Sequence, residues 1–211
     1  MELIVLDMDD TLYLERDYVR SGFMAVGEYV AAAYGVETGE WMWEQFEAGV
    51  RGDTFNRLAN QFGLPADVVP ELVATYRNHA PDIRLEPDAQ AFLERWRGEV
   101  PLALITDGYG PGQRQKIAAL GLEDYFEDLI VTGERGEGWP KPGTRAFTYL
   151  QEKHGVSAAS ECIYIGDNPH KDFVGPDALG WAWQRILRPG SLHEAVPTPA
   201  GGVTVTELGE V

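Results

Sequence analysis

Five residues that could carry chemistry follow short apolar runs of the sequence, each at or just beyond the point where a run ends. They are Asp7 and Asp9 after the first run, Thr106 after the second, Lys141 in the loop beyond the third, and Asp167 after the fourth. Carboxylates gathered at one place repel one another and raise each other's pKa values. A hard divalent cation such as Mg²⁺, bound through oxygen ligands, removes that cost. The set therefore predicts a Mg²⁺ site with a hydroxyl and an ammonium group beside it.

The apolar runs predict the strands that must position these residues. Each of the four is continuous rather than alternating, which is typical of strands covered on both faces. The runs are Leu3–Leu6, Leu102–Ile105, Leu129–Val131 and Cys162–Ile165. A fifth run, Trp181–Leu187, is interrupted by Gln184 and Arg185, so we expect it nearer a sheet edge.

Helical segments between the runs complete the pattern. Gln113–Leu120 ends at Gly121 and Arg145–His154 ends at Gly155, where a left-handed C-cap is expected. Strands alternating with helices predict an α/β fold, a Rossmann-like three-layer structure whose parallel sheet is built of right-handed crossovers. In such sheets ligands bind beyond the carboxyl ends of the strands, so the chemical residues should meet at one edge.

The region from residue 14 to residue 87 has helical periodicity and no convincing strand. It predicts a helical domain inserted between the first and second strands, with Tyr13–Arg16 and Asp82–Pro87 as its two links. The core domain would then comprise residues 1–13 and 88–211. Near the end of the chain, Val203–Leu208 is expected to return apolar residues to the edge of the core.

The composition excludes several classes of protein. Seventeen basic residues against thirty-four acidic ones give a net charge of −17, so the chain repels nucleic acids and anionic membrane surfaces at long range. No apolar stretch is long enough to span a bilayer, and the N-terminus lacks the basic region of a signal peptide. The single Cys162 forms no internal disulfide and fits a reducing compartment. These features predict a soluble cytoplasmic protein, and a lysine-poor acidic surface would also suit a salt-rich cytoplasm.

At its chemical segments the chain resembles the haloacid dehalogenase (HAD) superfamily of hydrolases. The four motifs of that superfamily occur in order, as Asp7–Thr11, Thr106, Lys141, and Gly166–Asp167 with Asp172. The resemblance covers essentially the whole chain. The helical insert resembles the superfamily's alpha-helical cap, of the type placed directly after the first strand.

The resemblance implies phosphoryl transfer through an aspartyl-phosphate. Asp7 would attack phosphorus as a nucleophile. Asp9 would protonate the leaving alcohol and then take a proton from water, so its pKa should lie above that of a free Asp. Thr106 and Lys141 would hydrogen-bond the phosphoryl oxygens. Mg²⁺ would be bound by Asp7, Asp167 and the backbone carbonyl of Asp9.

Further residues are expected to support or shape this site. Asp107 and Gly108, which follow Thr106, are expected to help bind the phosphate. Asp172 would orient Lys141 or a metal-bound water, and Asn168 and Thr11 would lie behind the groups that touch substrate or metal. The residues expected to select the substrate are Arg51, Arg77, His79 and Trp139.

Several reactions share this superfamily's core, and the residues separate them. Dehalogenases lack the second Asp of the first motif, which is present here as Asp9. Phosphonoacetaldehyde hydrolases need a lysine in the cap, and residues 14–87 contain none. The prediction is therefore a phosphomonoester hydrolase acting on a small phosphorylated metabolite, whose identity stays open, as does the oligomeric state. A sugar phosphomutase and a silent binding protein on the same fold are alternatives; basic residues that could grip a second phosphate are Arg16, Arg20, Arg51, Arg57, Arg77 and Arg84.

Overall fold

The computed structural model of the 211-residue chain describes residues 1–210. These residues form two compact units. The first comprises Met1–Arg16 together with the chain from Ile83 onward, and the second comprises Asp17–Asp82. Among the helices of the described residues, none has both the length and the apolar character needed to cross a membrane.

The first unit is built on a six-stranded sheet in which every pairing is parallel. Its strands are β1 Leu3–Leu6, β2 Leu102–Thr106, β3 Asp128–Val131, β4 Cys162–Gly166, β5 Ala182–Ile186 and β6 Val203–Val205. They lie in the order β3-β2-β1-β4-β5-β6. Because β1 lies between β2 and β4, the residues that follow these three strands are brought together at one edge. The predicted α/β class and parallel sheet are confirmed.

Helices cover both faces of this sheet, which explains why the central strands are continuous apolar runs. The helices of this unit are α5 Pro87–Trp96, α6 Gly110–Ala119, α7 Arg145–Lys153 and α8 Val174–Leu179. Alternate β1 residues Leu3 and Val5 share a core cluster with Phe147 of α7. Ile4 and Leu6, which face the other side of the sheet, are equally buried.

The β5 end of the sheet differs in two respects from what the sequence suggests, in the position of β5 and in the burial of Arg185. The fifth strand lies second from the edge, because β6 pairs alongside it and forms the edge itself. Arg185, which interrupts the apolar run, is buried and donates to the backbone oxygens of Asp167, His193 and Val196. These acceptors satisfy the guanidinium inside the protein, so a charged residue is compatible with an interior strand.

The second unit, residues 17–82, consists of helices joined by loops, and all of its residues are described by the structure. Its helices are the greater part of α1 Glu15–Tyr34, then α2 Gly39–Glu47, α3 Thr54–Phe62 and α4 Val69–Asn78. They enclose a core of their own, in which Phe23, Val26, Met42, Leu58 and Leu72 are buried. Helix α1 begins at Glu15, so half of the predicted link Tyr13–Arg16 is helical. That the unit acts as a cap over the site stays a prediction.

Candidate active site

Lys141 lies at the centre of the residues that the sheet edge brings together. Its Nζ lies 2.8 Å from Asp7 Oδ1, 2.8 Å from Asp172 Oδ1 and 2.9 Å from the hydroxyl of Tyr164. The lysine side chain is fully buried. Burial by itself lowers the pKa of Lys141, but the carboxylates of Asp172 and Asp7 outweigh it and hold that pKa well above its ordinary value. The group is therefore a fixed positive charge.

Three buried carboxylates form a cluster, and two of them, Asp7 and Asp172, contact this ammonium group. Oxygen atoms of Asp7, Asp167 and Asp172 all lie within 4.8 Å of one another. Burial raises the pKa of Asp7 to about 6, against the lowering effect of Lys141. Burial and the neighbouring charges of Asp172 and Asp7 raise the pKa of Asp167 to about 9. One ammonium group thus leaves an excess of negative charge in the cluster.

Asp167 carries the atom that points most directly to a cation. Its Oδ2 is buried and has no hydrogen-bond partner among residues 1–210. A buried carboxylate oxygen without a donor is costly, and a divalent cation with oxygen ligands would satisfy it. Asp7 and Asp167 therefore fit Mg²⁺ as ligands, whereas both oxygens of Asp172 already have donors, in Lys141 and in the backbone N–H of Asn168.

The turn after β4 brings Asp172 into this cluster. The backbone N–H of Asn168 donates to Asp172 Oδ2 at 2.8 Å, which folds the segment back on the strand end. A Cβ atom on Gly166 would lie 2.5 Å from the same oxygen. Only glycine at the end of β4 therefore allows Asp172 to approach Lys141 from this side.

Asp9 lies outside the carboxylate cluster and is held by a separate set of donors. Lys116 Nζ lies 2.7 Å from its Oδ1, Gln113 Nε2 lies 2.9 Å from its Oδ2, and the hydroxyl of Tyr13 donates to Oδ1. Burial raises the pKa of Asp9, but Lys116 and these hydrogen bonds outweigh it, so the pKa lies below its ordinary value. The expectation of a raised pKa for Asp9 is wrong, because the sequence does not show which donors reach it.

Thr106 and Asp107, which follow one another in the chain, make different contacts in the site. Thr106 Oγ1 is buried and accepts a hydrogen bond from Gln113 Nε2 at 2.6 Å. The Asp107 carboxylate accepts from Thr132 Oγ1 at 2.7 Å and from the backbone N–H of Lys141 at 3.2 Å, and it pairs with Lys171. Its side chain thus supports the Lys141 loop, and binding of phosphate by Asp107 and Gly108 stays a prediction.

Two of the predicted supporting residues hold the surroundings of the site. Asn168 Nδ2 bonds His193 Nε2 at 2.9 Å, and its Oδ1 accepts the backbone N–H of His170. Thr11 is fully buried, and its carbonyl oxygen accepts from Arg188 Nε at 2.8 Å. The Asn168 side chain therefore orders the turn after β4, and Thr11 is held to Arg188 through its backbone.

Three of the four predicted specificity residues belong to the second unit. Arg51 lies over the ring of Phe46, with Cζ 3.8 Å from the ring centroid, and borders a cleft of about 270 Å³ in that unit. Arg77 is exposed near the end of α4. His79 is buried, with Nδ1 2.6 Å from the carbonyl oxygen of Tyr76, a packing arrangement.

The fourth, Trp139, belongs to the first unit and lies two residues before Lys141. It is half-buried, with the guanidinium groups of Arg135 and Arg145 5.0 and 5.4 Å from its ring centroid. Tyr149 packs against the same ring. The tryptophan therefore anchors the loop that carries Lys141.

Sequence reasoning missed several residues that contact the chemical groups. They are Tyr13, Gln113, Lys116, Tyr164 and Lys171. The scarcity of lysine was a usable signal, because the chain has four lysines and three of them bind carboxylates of this site. In a chain of net charge −17, positive charge concentrated at one place compensates the site for anions.

Comparison with known proteins agrees with the fold and the arrangement of motifs. The family of haloacid dehalogenase-like hydrolases matches residues 1–175. The chain belongs to this family, and the resemblance inferred from the motifs is confirmed.

Two relatives that align with most of this chain are named as phosphatases. A phosphoserine phosphatase of Thermus thermophilus is 29% identical, with 90% of this chain and 91% of that protein aligned. A glyceraldehyde 3-phosphate phosphatase of Methanocaldococcus jannaschii is 28% identical, with 99% and 94% aligned. The magnesium-bound HAD-hydrolase YfnB of Bacillus subtilis shares the fold with a TM-score of 0.66 and 17% identity, over 99% of this chain and 96% of that chain. The predicted enzyme class, a hydrolase of the phosphatase type, is thereby confirmed.

Proposed function

We propose that the protein is a Mg²⁺-dependent phosphomonoester hydrolase that acts on a small phosphorylated metabolite through an aspartyl-phosphate. The observation that carries the proposal is the buried contact between Asp7 and Lys141 beside Asp167, whose Oδ2 lacks a donor among the described residues. Relatives that align with nearly the whole chain and are named as phosphatases support the same reaction.

The first half-reaction transfers the phosphoryl group to Asp7. Its carboxylate oxygen forms a bond to phosphorus while the bond from phosphorus to the ester oxygen breaks, and the leaving alcohol takes a proton from Asp9. Lys141 and Thr106 stabilise the charge on the phosphoryl oxygens, where preorganised donors contribute most. Mg²⁺, held by Asp7, Asp167 and the backbone carbonyl of Asp9, would add a Lewis acid to this charge stabilisation.

The second half-reaction hydrolyses the aspartyl-phosphate. Water attacks phosphorus, Asp9 takes a proton from that water, and the bond to Asp7 breaks to release phosphate. Lys116, Gln113 and Tyr13 hold Asp9 as a carboxylate, which is the form that this step needs. For the first half-reaction Asp9 must carry a proton, and the negative charge of a bound phosphate ester favours that form.

The substrate is expected to be selected by residues outside the shared motifs. Arg51 is the best placed of these, because it borders the cleft in the second unit together with aromatic side chains such as Phe55 and Tyr76. A guanidinium group suits a carboxylate or a second phosphate on a metabolite. Arg77 and Trp139 are weaker candidates, since one is exposed and the other is engaged in packing.

The test is release of p-nitrophenol from p-nitrophenyl phosphate, with Mg²⁺ and with EDTA, for the wild type and Asp7→Asn. We expect turnover that requires both the metal and Asp7. The matched control is Asp124→Asn at an exposed turn, which should keep wild-type activity. Undiminished turnover in Asp7→Asn would refute the covalent mechanism.

A panel of phosphate esters then separates the alternatives. It should contain phosphoserine, glyceraldehyde 3-phosphate, sugar monophosphates and nucleotides, with phosphate release as the readout. Transfer of phosphate between positions of a sugar, without release, would identify a mutase instead. Failure of the wild type both to turn over any ester and to bind beryllium fluoride would identify a silent protein on this fold.

A further inference from the structure

Gln113 connects two residues of the proposed mechanism through a single amide nitrogen. Its Nε2 lies 2.9 Å from Asp9 Oδ2 and 2.6 Å from Thr106 Oγ1. The side chain is buried on α6, with 4% of the residue exposed. A primary amide nitrogen carries two protons, and each has one acceptor here.

The direction of these hydrogen bonds follows from the acceptors. A carboxylate only accepts, so the group of Gln113 that faces Asp9 must be the nitrogen. The second proton of that nitrogen is then directed to Thr106 Oγ1, whose hydroxyl acts as the acceptor. The proton of the Thr106 hydroxyl is left to donate elsewhere, and the part of the chain that the structure describes offers it no recorded acceptor.

We propose that Gln113 is a positioning residue that makes the Thr106 hydroxyl a donor to the phosphoryl group while it holds Asp9 in place. The inference rests on the proposed function, because the acceptor of that hydroxyl is an oxygen of the substrate. It goes beyond the shared motifs, none of which includes Gln113. The residue acts through Thr106 and Asp9, and no bond or proton of the proposed reaction is transferred to it.

Neighbouring residues hold the amide in this position. Lys116, three residues further along α6, binds Asp9 Oδ1 at 2.7 Å, so one helix face supplies a donor to each oxygen of Asp9. A Cβ atom on Gly108 would lie 3.4 Å from Gln113 Cδ, and the φ of Gly108 is 130°. That distance is an ordinary van der Waals contact, so the backbone conformation of Gly108, and not the space beside Gln113, requires glycine after the second strand.

Two substitutions that keep the approximate volume of the Gln113 side chain distinguish the positioning role from simple packing. Gln113→Glu keeps the shape of the side chain but places an acceptor against Thr106 and a negative charge against Asp9. The threonine proton then turns toward the new carboxylate, and we expect kcat to fall ~100-fold, the loss typical of one preorganised donor. Gln113→Met removes both donations without reversing either, and we expect a fall of ~10-fold.

The effect of Gln113→Glu on kcat should also be measured in the Thr106→Val variant. If Gln113 served only in packing, this effect would be the same with and without the Thr106 hydroxyl. Without a hydroxyl to misdirect, Gln113→Glu should cost at least ~5-fold less in kcat than it does beside Thr106. Multiplicative losses in the double variant would show that the two residues act independently and would overturn the inference. Equal losses for Gln113→Glu and Gln113→Met would overturn it as well.

The control is Gln151→Glu on α7. Gln151 accepts from Trp181 Nε1 at 2.9 Å and donates to Val156, away from the site residues, so kcat should stay at the wild-type value. Thermal unfolding of each variant identifies any that fail to fold. If Gln113→Glu does not fold, the losses in kcat of Gln113→Met, Thr106→Val and their double variant are compared instead. Multiplicative losses in that double variant would overturn the inference.

The wild-type result keeps the two proposals distinguishable. If the wild type hydrolyses phosphate esters and both Gln113 variants stay within ~3-fold of it, the positioning role is refuted and the proposed function stands. A wild type without hydrolysis or transfer on the whole panel refutes the proposed function, and the role of Gln113 falls with it.

Discussion

Replacement of Lys141 by methionine should destabilise the protein far more than replacement of any exposed lysine. Lys141 Nζ lies 2.8 Å from oxygens of both Asp7 and Asp172, and its side chain has no exposure to solvent. Methionine keeps much of the volume of lysine but removes the one ammonium group that, among residues 1–210, contacts these two carboxylates. Asp7 and Asp172 would then face each other and Asp167 as buried carboxyl groups without an ion-pair partner among the described residues, although Asp172 keeps its hydrogen bonds from Asn168 and Tyr164.

The magnitude follows from the burial of these groups. Removal of one partner from a buried ion pair costs ~3–5 kcal/mol, because it leaves an unpaired buried charge. Because Asp7 and Asp172 share Lys141 as their partner, we expect the free energy of unfolding to fall by the cost of one broken ion pair and not of two. In a chain of this size, that loss corresponds to a fall of roughly 6–20 °C in Tm.

Lys153→Met is the matched control. Lys153 pairs with Asp128, but 45% of its side chain is exposed, and exposed pairs contribute ~0–1 kcal/mol. The free energy of unfolding should be measured in urea at neutral pH with EDTA present, for the wild type and both variants. Addition of Asp172→Asn should restore part of the stability lost in Lys141→Met.

Losses of similar size in Lys141→Met and Lys153→Met would refute this reasoning. Such a result would mean that the carboxylates relax or take up protons at little cost once Lys141 is removed. A change in m-value would instead indicate altered two-state behaviour, and Tm would then have to be compared at several protein concentrations and scan rates.

Three further predictions concern glycine packing, acid stability and the metal. Gly166→Ala places a methyl group 2.5 Å from an Asp172 oxygen, so we expect a loss of about 1–3 kcal/mol in urea unfolding, and wild-type stability would contradict the close approach. Asp88 accepts two hydrogen bonds from Arg188, and these lower the pKa of Asp88 below its ordinary value of 3.8 although burial raises it. The pair therefore stabilises the fold above pH 3.8, and this stabilisation is lost as the pH falls through the lowered pKa. Asp88→Asn should therefore cost about 1 kcal/mol at pH 7, and this cost should shrink as the pH falls through the lowered pKa, whereas a difference independent of pH would contradict the assignment. Mg²⁺ at about 100 times its Kd should stabilise the wild type by ~2.7 kcal/mol but leave Asp167→Asn nearly unchanged in thermal unfolding, whereas equal stabilisation of both would place the metal elsewhere.

The central strands were predictable because their signal is local. A run of buried residues such as Leu3–Leu6 must be covered on both faces, and this requirement is written in consecutive residues. The same holds for the left-handed glycines Gly121 and Gly155, both of which have positive φ as expected. Because parallel strands end at the same edge of a sheet, the placement of Asp7, Thr106 and Asp167 at one edge was predictable, whereas the neighbouring positions of β2, β1 and β4 came from the structure.

The contacts of Asp9 could not be predicted in the same way. Lys116 lies 107 residues away in sequence, and its ammonium group reaches Asp9 only because α6 packs beside the end of β1. A pKa depends on charges and donors within a few Å, so a carboxyl with an unknown partner has no predictable direction of shift. The expectation for Asp9 failed for this reason, although its position in the first motif was read correctly.

The sequence by itself determined the class of fold, the order of the motifs along the chain and the sheet edge at which they lie, because the burial of strands is encoded in local runs and parallel strands end at the same edge. The tertiary structure decided which donors hold each chemical group. It paired Lys141 with Asp7 and Asp172, left Asp167 Oδ2 without a donor among the described residues, and joined Asp9 to Thr106 through Gln113. Those contacts depend on the docking of separate elements to within hydrogen-bond distance, which no single stretch of sequence specifies.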